Sequence, residues 1–162
     1  MSRRWLLANA LWLQAGWWLC VLGAEKTFLS LLVIPGLAVH LSLCPDVHAE
    51  VKALLRVTPV GCVLDSVLGA LGVFGFDTWA LPLWLALLWL VLASGMRHSL
   101  AWADRHWRLG ALVGAVGGPL AYLSGARLAN VDLPMGTLET GLLLVPIWAA
   151  TLPLLARLAV RC

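Results

Sequence analysis

An aspartate inside a long apolar run is the first residue of this chain whose type and position could support chemistry. Asp65 lies in the segment VTPVGCVLDSVLGALG. Burying an ionisable side chain in such a run is costly unless the side chain finds a partner, so its position indicates a polar site. Gly61 and Gly69 lie four residues to either side and share its face on a helix. Another helix could therefore approach the carboxylate closely.

A second segment, RLGALVGAVGGPLAYLSGARLANVD, combines small residues with a tyrosine and an arginine. Gly110, Gly114 and Gly118 recur every four residues, a pattern typical of close packing between membrane helices. Tyr122 and Arg127 follow in the same segment. The spacing predicts a tightly packed helix that carries polar side chains toward its C-terminal end.

Arg127 is a basic residue in a part of the chain that otherwise has few, and such a residue usually has a local partner. We predict that it forms an ion pair with Asp65 and so locks two helices together. Three other acidic residues are expected near the same face and compete as partners: Glu25, Asp132 and Glu139. The alternative is that Asp65, Tyr122 and Arg127 form a site for a ligand or a lipid headgroup.

The neighbours His98 and Ser99 have the residue types of a base and a nucleophile. However, consecutive side chains on a helix point about 100° apart and do not meet, and no glycine elbow accompanies the serine. We interpret the pair as hydrogen-bonding anchors at the level of the lipid headgroups. Asn9 and Gln14, in the first apolar run, are interpreted as groups that hydrogen-bond between helices.

Histidines and cysteines are too scattered along the chain to predict a metal site. The chain has four of each, but it has no CxxC pair and no two histidines at a helical ligand spacing. Cys20 and Cys44 are expected at opposite membrane faces, so no disulfide is predicted between them. We predict no cofactor. Without a catalytic constellation the sequence favours a non-enzyme, although it leaves enzymatic activity open.

The elements that position these residues are transmembrane helices. The 162-residue chain is 62% hydrophobic and 12% charged, with a mean hydropathy of +0.92. Soluble domains are about 45–50% apolar and about 25% charged, and a chain of this size has too little interior to bury the difference. Because the apolar runs are long and continuous rather than alternating, they indicate helices and not strands of a barrel.

We predict an all-α protein, a polytopic bundle of six transmembrane helices that forms a single domain over residues 1–162. The predicted helices cover residues 5–23, 27–44, 53–72, 80–96, 108–126 and 138–160. The connections between them are short, so no soluble domain is expected outside the bundle.

The distribution of basic residues predicts the orientation of this bundle. With the N-terminus in the cytoplasm, nine of the 11 lysines and arginines lie on the inner side, and only Lys26 and Arg127 lie on the outer side. Both termini are therefore predicted to be cytoplasmic. The charged heptad WADRHWR, residues 102–108, becomes the inner turn between the fourth and fifth helices. Since the basic residues are dispersed, no nucleic-acid partner is predicted.

Four stretches of the sequence resemble a bacterial inner-membrane family known as domain of unknown function 2878. They are NALWLQAGWWLCVLG, VGCVLDSVLGALG, LPLWLALLWLVLASGMRHSLAW and GAVGGPLAYLSGARLA. The residues that match the family pattern are Asn9, Asp65, Trp84, Trp89, His98, Ser99, Pro119, Tyr122 and Arg127. The resemblance covers nearly the whole chain and implies location in the inner membrane. It implies no activity, although members of the family often occur near genes for fatty-acid-modifying enzymes.

Three functions are compatible with these observations. The favoured hypothesis is a lipid-binding or accessory protein in membrane lipid or fatty-acid metabolism, with membrane lipids, a second copy or another membrane protein as partner. The first alternative is a small-molecule or lipid transporter, flippase-like, in which Asp65 and Arg127 form a gated pair. The second is a lipid-modifying enzyme that uses Asp65, His98, Tyr122 and Arg127. However, Asp65 and Arg127 are expected toward the outer side and His98 at the inner interface, and a helix of about 20 residues is about 30 Å long, so these groups are not expected to share one active site.

Overall fold

The computed structural model describes residues 2–76 and 81–160, and its regular elements there are helices. In chain order they are α1 (Arg3–Leu22), α2 (Thr27–Leu31), α3 (Val33–Leu43), α4 (Val47–Ala70), α5 (Leu83–Met96), α6 (Trp102–Arg105), α7 (Trp107–Leu128) and α8 (Thr137–Val160). An isolated β-bridge between Gly75 and Asp132 joins two of the loops. The all-α prediction is thus confirmed for the described part of the chain.

Four of these helices, α1, α4, α7 and α8, are long and apolar enough to cross a membrane. The second and fourth predicted spans correspond to shorter apolar segments, Thr27–Leu43 and Leu83–Met96. At 1.5 Å per residue, α5 is about 21 Å long, shorter than a hydrocarbon core of about 30 Å. Residue 80, where the fourth predicted span begins, lies outside the described residues. Length and composition therefore support four spans.

Two helices begin where a polar side chain caps them. The Ser2 hydroxyl accepts a hydrogen bond of 3.2 Å from the backbone N–H of Trp5 at the start of α1. The Asp46 carboxylate accepts one of 3.0 Å from Ala49 N at the start of α4. These caps satisfy backbone donors that the first turn leaves unpaired. Because of the Asp46 cap, α4 begins six residues before the predicted residue 53.

The glycine stripe of α7 faces its neighbours. Gly110, Gly114 and Gly118 are buried. A Cβ added at Gly118 would overlap the indole of Trp148 on α8, and one at Gly114 would overlap the Trp148 backbone. A Cβ at Gly110 would lie 3.0 Å from Ala103 of α6. The absence of side chains lets α7 lie close against α8 and α6.

The core lies between α4, α5 and α8. The indoles of Trp89 on α5 and Trp148 on α8 stack at 5.8 Å with an interplanar angle of 4°. Gly61 on α4 leaves the space that the Trp89 ring occupies, since a Cβ there would overlap it. Gly69, eight residues further along α4, lies near Phe76. Tryptophan packing against glycine thus connects the three helices.

The outer surface of the bundle is apolar. Leu11, Leu55 and Leu112, on three different helices, are 71%, 70% and 66% exposed. A soluble protein rarely exposes so many large apolar side chains. This surface is what a helical bundle presents to lipid, in agreement with the composition.

The charged heptad, residues 102–108, forms the connection between α5 and α7. Its first four residues are the short helix α6, which packs on α7 and α8 through the buried Ala103. Trp107 is exposed, and the Arg108 guanidinium lies over its ring at 5.4 Å from the centroid. An exposed tryptophan and arginine suit a turn at the membrane–water interface.

Candidate functional site

Four buried side chains, which we call the donor cluster, meet near one end of the bundle: His40, Cys44, Glu50 and His98. One potential ligand atom from each lies within 4.8 Å of the others. Glu50 is at the centre. Its Oε1 lies 2.9 Å from His40 Nε2 and its Oε2 lies 3.0 Å from His98 Nε2. Cys44 Sγ lies 3.5 Å from His40 Nε2 and 3.7 Å from His98 Nε2.

The backbone brings these residues together at three helix ends. His40 is in the last turn of α3, and Cys44, four residues later, is its C-cap residue. Asp46 then caps α4, which places Glu50 in the first turn, where the helix dipole favours a carboxylate. His98 follows directly after the C-cap residue of α5. The tight turn between α3 and α4 therefore contributes three of the four side chains.

Trp5 determines which ring nitrogen of His98 carries the hydrogen. The Trp5 indole N–H donates to His98 Nδ1 at 3.1 Å. Because indole is only a donor, Nδ1 must be the acceptor. The hydrogen of neutral His98 is then on Nε2, from which it points at Glu50 Oε2. Trp5 also stacks on the His40 ring, with centroids 5.9 Å apart.

Arg97 also compensates the negative charge of Glu50. Arg97 Nη1 lies 3.6 Å from Glu50 Oε2, and the Arg97 side chain is about a quarter exposed (24%) whereas that of Glu50 is fully buried (0%). Burial and then the Glu50 charge raise the pKa of the Cys44 thiol to about 11, although Arg97 lowers it. At neutral pH and without another ligand, Cys44 is therefore a thiol.

Asn9 connects α1 to the end of α5. Its amide nitrogen donates to the Ser94 carbonyl at 3.0 Å. Its amide oxygen accepts from both the backbone N–H and the hydroxyl of Ser99, at 3.1 Å and 2.6 Å. The Ser99 hydroxyl therefore donates to Asn9, and the structure gives it no hydrogen bond to His98. Gln14, the other amide on α1, is exposed.

A second polar group, the aspartate cluster, consists of Asp65, Trp89 and Tyr122. The fully buried Asp65 carboxylate accepts a 2.6 Å hydrogen bond from Trp89 Nε1 and another of 2.6 Å from the Tyr122 hydroxyl. Each carboxylate oxygen thus has one donor. The three residues join α4, α5 and α7 at the position where sequence analysis expects close helix approach.

The structure does not bring Arg127 to Asp65. Arg127 is exposed near the C-terminal end of α7, and the described residues contain no ion pair between the two. The predicted pair is therefore corrected. Tyr122, one and a half turns before Arg127 on α7, faces Asp65 instead. A phenol hydrogen bond partners a carboxylate inside apolar surroundings without a second charge to desolvate.

Beside the aspartate cluster lies an apolar cleft of about 220 Å³ between α1, α5, α7 and α8. We call it the aromatic cleft, after the rings that line it: Trp17, Phe74, Phe76, Trp84, Trp89, Tyr122 and Trp148. Gly117 also lines it, and a Cβ at Gly117 would meet nothing within 4 Å. The Trp148 indole N–H is buried and has no hydrogen-bond acceptor in the described part of the chain.

The predicted site residues thus fall into separate places. Asp65 and Tyr122 belong to the aspartate cluster, Asn9 and Ser99 form the link between α1 and α5, and His98 belongs to the donor cluster. Glu50 and Asp65 are fifteen positions apart on α4, about 22 Å at 1.5 Å per residue. The donor cluster and the aspartate cluster are therefore far apart. This agrees with the expectation that His98 and Asp65 lie at different depths in the bundle.

Sequence reasoning missed His40, Cys44 and Glu50 as members of one group. Their spacing holds a weak signal, since His40 and Cys44 are four apart at the end of an apolar segment and Glu50 follows at the start of the next. The expectation of no metal site relied on ligand spacing within one segment. The donor set comes instead from separate helix ends.

Comparison with known proteins identifies a family. The model of a family described as a protein of unknown function (DUF2878) matches residues 6–154. No curated protein and no solved structure matches the chain.

Proposed function

The chain belongs to the DUF2878 family of unknown function, and from this premise we propose that it is a multi-pass protein of the bacterial inner membrane that binds a lipid acyl chain in the aromatic cleft. The proposed role is non-catalytic. The protein holds or presents a lipid, either alone, as a homo-oligomer or beside another membrane protein. The observation that carries the proposal is an apolar cleft open beside a lipid-facing surface.

The size and chemistry of the cleft favour a chain over a headgroup. Pockets for drug-sized ligands are about 300–1,000 Å³, whereas this one is about 220 Å³. Its lining is aromatic, aliphatic and glycine, and the nearby Asp65 carboxylate already has a donor on each oxygen. An extended methylene chain gains van der Waals contact with the rings and leaves no charge unpaired.

One buried polar group beside the cleft is available to a ligand. The Trp148 N–H is buried beside the cleft without an acceptor in the described structure. Buried donors usually find a partner. An ester or carboxyl oxygen of a bound lipid would supply it. This buried donor orients a ligand without providing the strong polar contacts that a sugar or phosphate needs.

Six membrane passes with both termini in the cytoplasm form part of the proposal. Contacts of Trp5, Glu50 and His98 put the N-terminal ends of α1 and α4 beside the C-terminal end of α5. A hydrogen bond from Asn130 to Glu25 joins the C-terminal ends of α1 and α7 at the other side. This alternation supports the two shorter segments as crossings, and the basic residues support the orientation.

The experiment is photo-crosslinking of the full-length protein in nanodiscs that contain a phospholipid with a diazirine on its acyl chain. We expect preferential labelling of peptides that line the cleft. Gly117→Trp fills the cleft from a position where a side chain meets open space, and Val116→Trp puts the same ring on the lipid-facing surface one residue away. Labelling at the cleft should fall about tenfold in Gly117→Trp, which corresponds to about 1.4 kcal/mol.

The matched variant decides how the result is interpreted. Val116→Trp should leave labelling of the cleft unchanged, since Val116 does not line it. Uniform labelling of all lipid-facing helices, with equal yields in both variants, would contradict the proposal. Native mass spectrometry of the same samples should show retained phospholipid on the wild type and on Val116→Trp but not on Gly117→Trp.

A further inference from the structure

We propose that His40, Cys44 and Glu50 bind a divalent transition-metal ion, with Zn²⁺ as the reference ion, and that His98 orients Glu50 from beside the metal. This site is separate from the aromatic cleft, since none of the four residues of the donor cluster lines the cleft. Failure of either proposal would leave the other standing.

The separations of the donor atoms suit one ion at their centre. Zinc binds histidine nitrogen at about 2.0–2.1 Å and thiolate at about 2.3 Å, which puts two tetrahedral ligands about 3.4–3.6 Å apart. His40 Nε2 lies 3.5 Å from Cys44 Sγ and 2.9 Å from Glu50 Oε1. An outward shift of the Glu50 oxygen by about half an ångström would complete the geometry.

The ligand types select the class of metal. Thiolate and imidazole favour zinc, cobalt, iron and copper, whereas magnesium and calcium prefer oxygen ligands. A thiolate and a carboxylate also neutralise the two positive charges of the ion. Cys44 binds as the thiolate, so its proton passes to solvent when the metal enters. The net charge of the three ligands and the ion is then zero, which suits a buried site.

His98 is assigned beside the metal because of Trp5. Since the Trp5 N–H donates to His98 Nδ1, the hydrogen of His98 is on Nε2 and points at Glu50 Oε2. A nitrogen that carries hydrogen is not a metal ligand. It can fix the Glu50 carboxylate through the second oxygen while Oε1 faces the ion, an arrangement common around protein metal sites. Three protein ligands leave a fourth position for water or a small anion.

The test uses the full-length protein in detergent, treated with chelator and then titrated with Co²⁺ as a spectroscopic substitute for zinc. We expect one ion per chain and a thiolate-to-cobalt charge-transfer band in the near ultraviolet. Cys44→Ser should lose the band. Cys62→Ser and His48→Gln, which change the same residue types outside the cluster, should keep it. Absence of stoichiometric cobalt, or a band that persists in Cys44→Ser, would overturn the proposal.

The unfolding temperature, measured with and without Zn²⁺, distinguishes a variant that cannot bind metal from one that does not fold. Saturating Zn²⁺ should raise the unfolding temperature of the wild type and of Cys62→Ser, because a ligand that binds the folded state stabilises it. It should leave that of Cys44→Ala and of His40→Asn unchanged. If zinc shifts all four proteins equally, it binds elsewhere and the assignment is wrong.

The role of His98 has its own readout. His98→Ala removes the N–H that holds Glu50 Oε2 but leaves Cys44 in place, so the charge-transfer band should remain while the affinity for Co²⁺ falls about 10–100-fold, the usual effect of losing an outer partner of a ligand. His98→Gln, which keeps an N–H that can reach Glu50, should lose less affinity. The visible d–d bands of Co²⁺ should keep their positions in both variants, because the ligand set is unchanged; a shift of these bands in His98→Ala would make His98 a direct ligand and overturn the three-ligand assignment.

Discussion

Tyr122 on α7 donates a 2.6 Å hydrogen bond to Asp65 on α4, across 57 residues of sequence. With the bond from Trp89, it gives each oxygen of a fully buried carboxylate one donor. A carboxylate held in this way is a structural connection between three helices. The transporter hypothesis requires a gated ion pair between Asp65 and Arg127, and the described residues do not form that pair.

Replacing Tyr122 by phenylalanine should destabilise the protein by about 1–3 kcal/mol, since it leaves one oxygen of a buried carboxylate without a donor. Unfolding in mixed micelles of dodecyl maltoside and sodium dodecyl sulfate would measure the change. Ser124→Ala is the control, because the exposed Ser124 hydroxyl donates only to backbone carbonyls of its own helix. Equal stability of Tyr122→Phe and wild type would show that water replaces the phenol.

Removing the charge of Arg127 should have little effect. Because Arg127 is exposed and has no ion pair with Asp65 in the described structure, Arg127→Gln should change the free energy of unfolding by less than about 0.5 kcal/mol. A double-mutant cycle with Asp65→Asn should give a coupling energy near zero. A coupling above about 1 kcal/mol would restore the predicted ion pair.

Adjacent glycines on α7 should respond in opposite ways to the same substitution. Gly118→Ala introduces a methyl group into the Trp148 indole and should cost about 1–3 kcal/mol of stability. Gly117→Ala meets open space and should be neutral or stabilising by up to about 1 kcal/mol, since alanine favours the helix. The same micelle unfolding assay compares the two. Similar losses at both positions would mean that helix contact is not what Gly118 provides.

Replacing the two side-chain amides of α1, Asn9 and Gln14, should have different effects on stability. Asn9→Leu removes three hydrogen bonds to Ser94 and Ser99 and leaves a carbonyl and an N–H unpaired, so we expect a loss of about 1–3 kcal/mol. Gln14→Leu replaces an exposed amide and should leave stability unchanged or raise it. If Gln14→Leu is the more damaging variant, an outside partner of α1 must contact Gln14.

The proposed topology predicts which side of the membrane each loop faces. In a variant without native cysteines, a cysteine at His106 should react with an impermeant maleimide only after the cells are opened. One at Asn130 should react in intact cells whose outer membrane is permeabilised. The reverse pattern would invert the orientation, and labelling of both positions from one side would reduce the number of passes.

Local chemistry made much of this protein predictable. Apolar runs separated by polar turns predict both ends of α1, α7 and α8, and the C-terminal end of α4, to within two residues, because hydropathy and helix length are properties of a continuous segment. The glycine spacing likewise predicts which face of α7 packs closely. The start of α4 differs from the predicted one because a single capping aspartate outweighs six residues of weaker apolar pattern.

Only the tertiary structure decided which polar side chains contact each other across long stretches of sequence. His40 meets Glu50 across 10 residues, Glu50 meets His98 across 48, and Asp65 meets Tyr122 across 57. The sequence by itself specifies that buried polar groups need partners, since lipid and packed side chains offer no hydrogen bonds. Which helix ends converge, and thus whether a carboxylate meets an arginine or a phenol, depends on how whole helices pack.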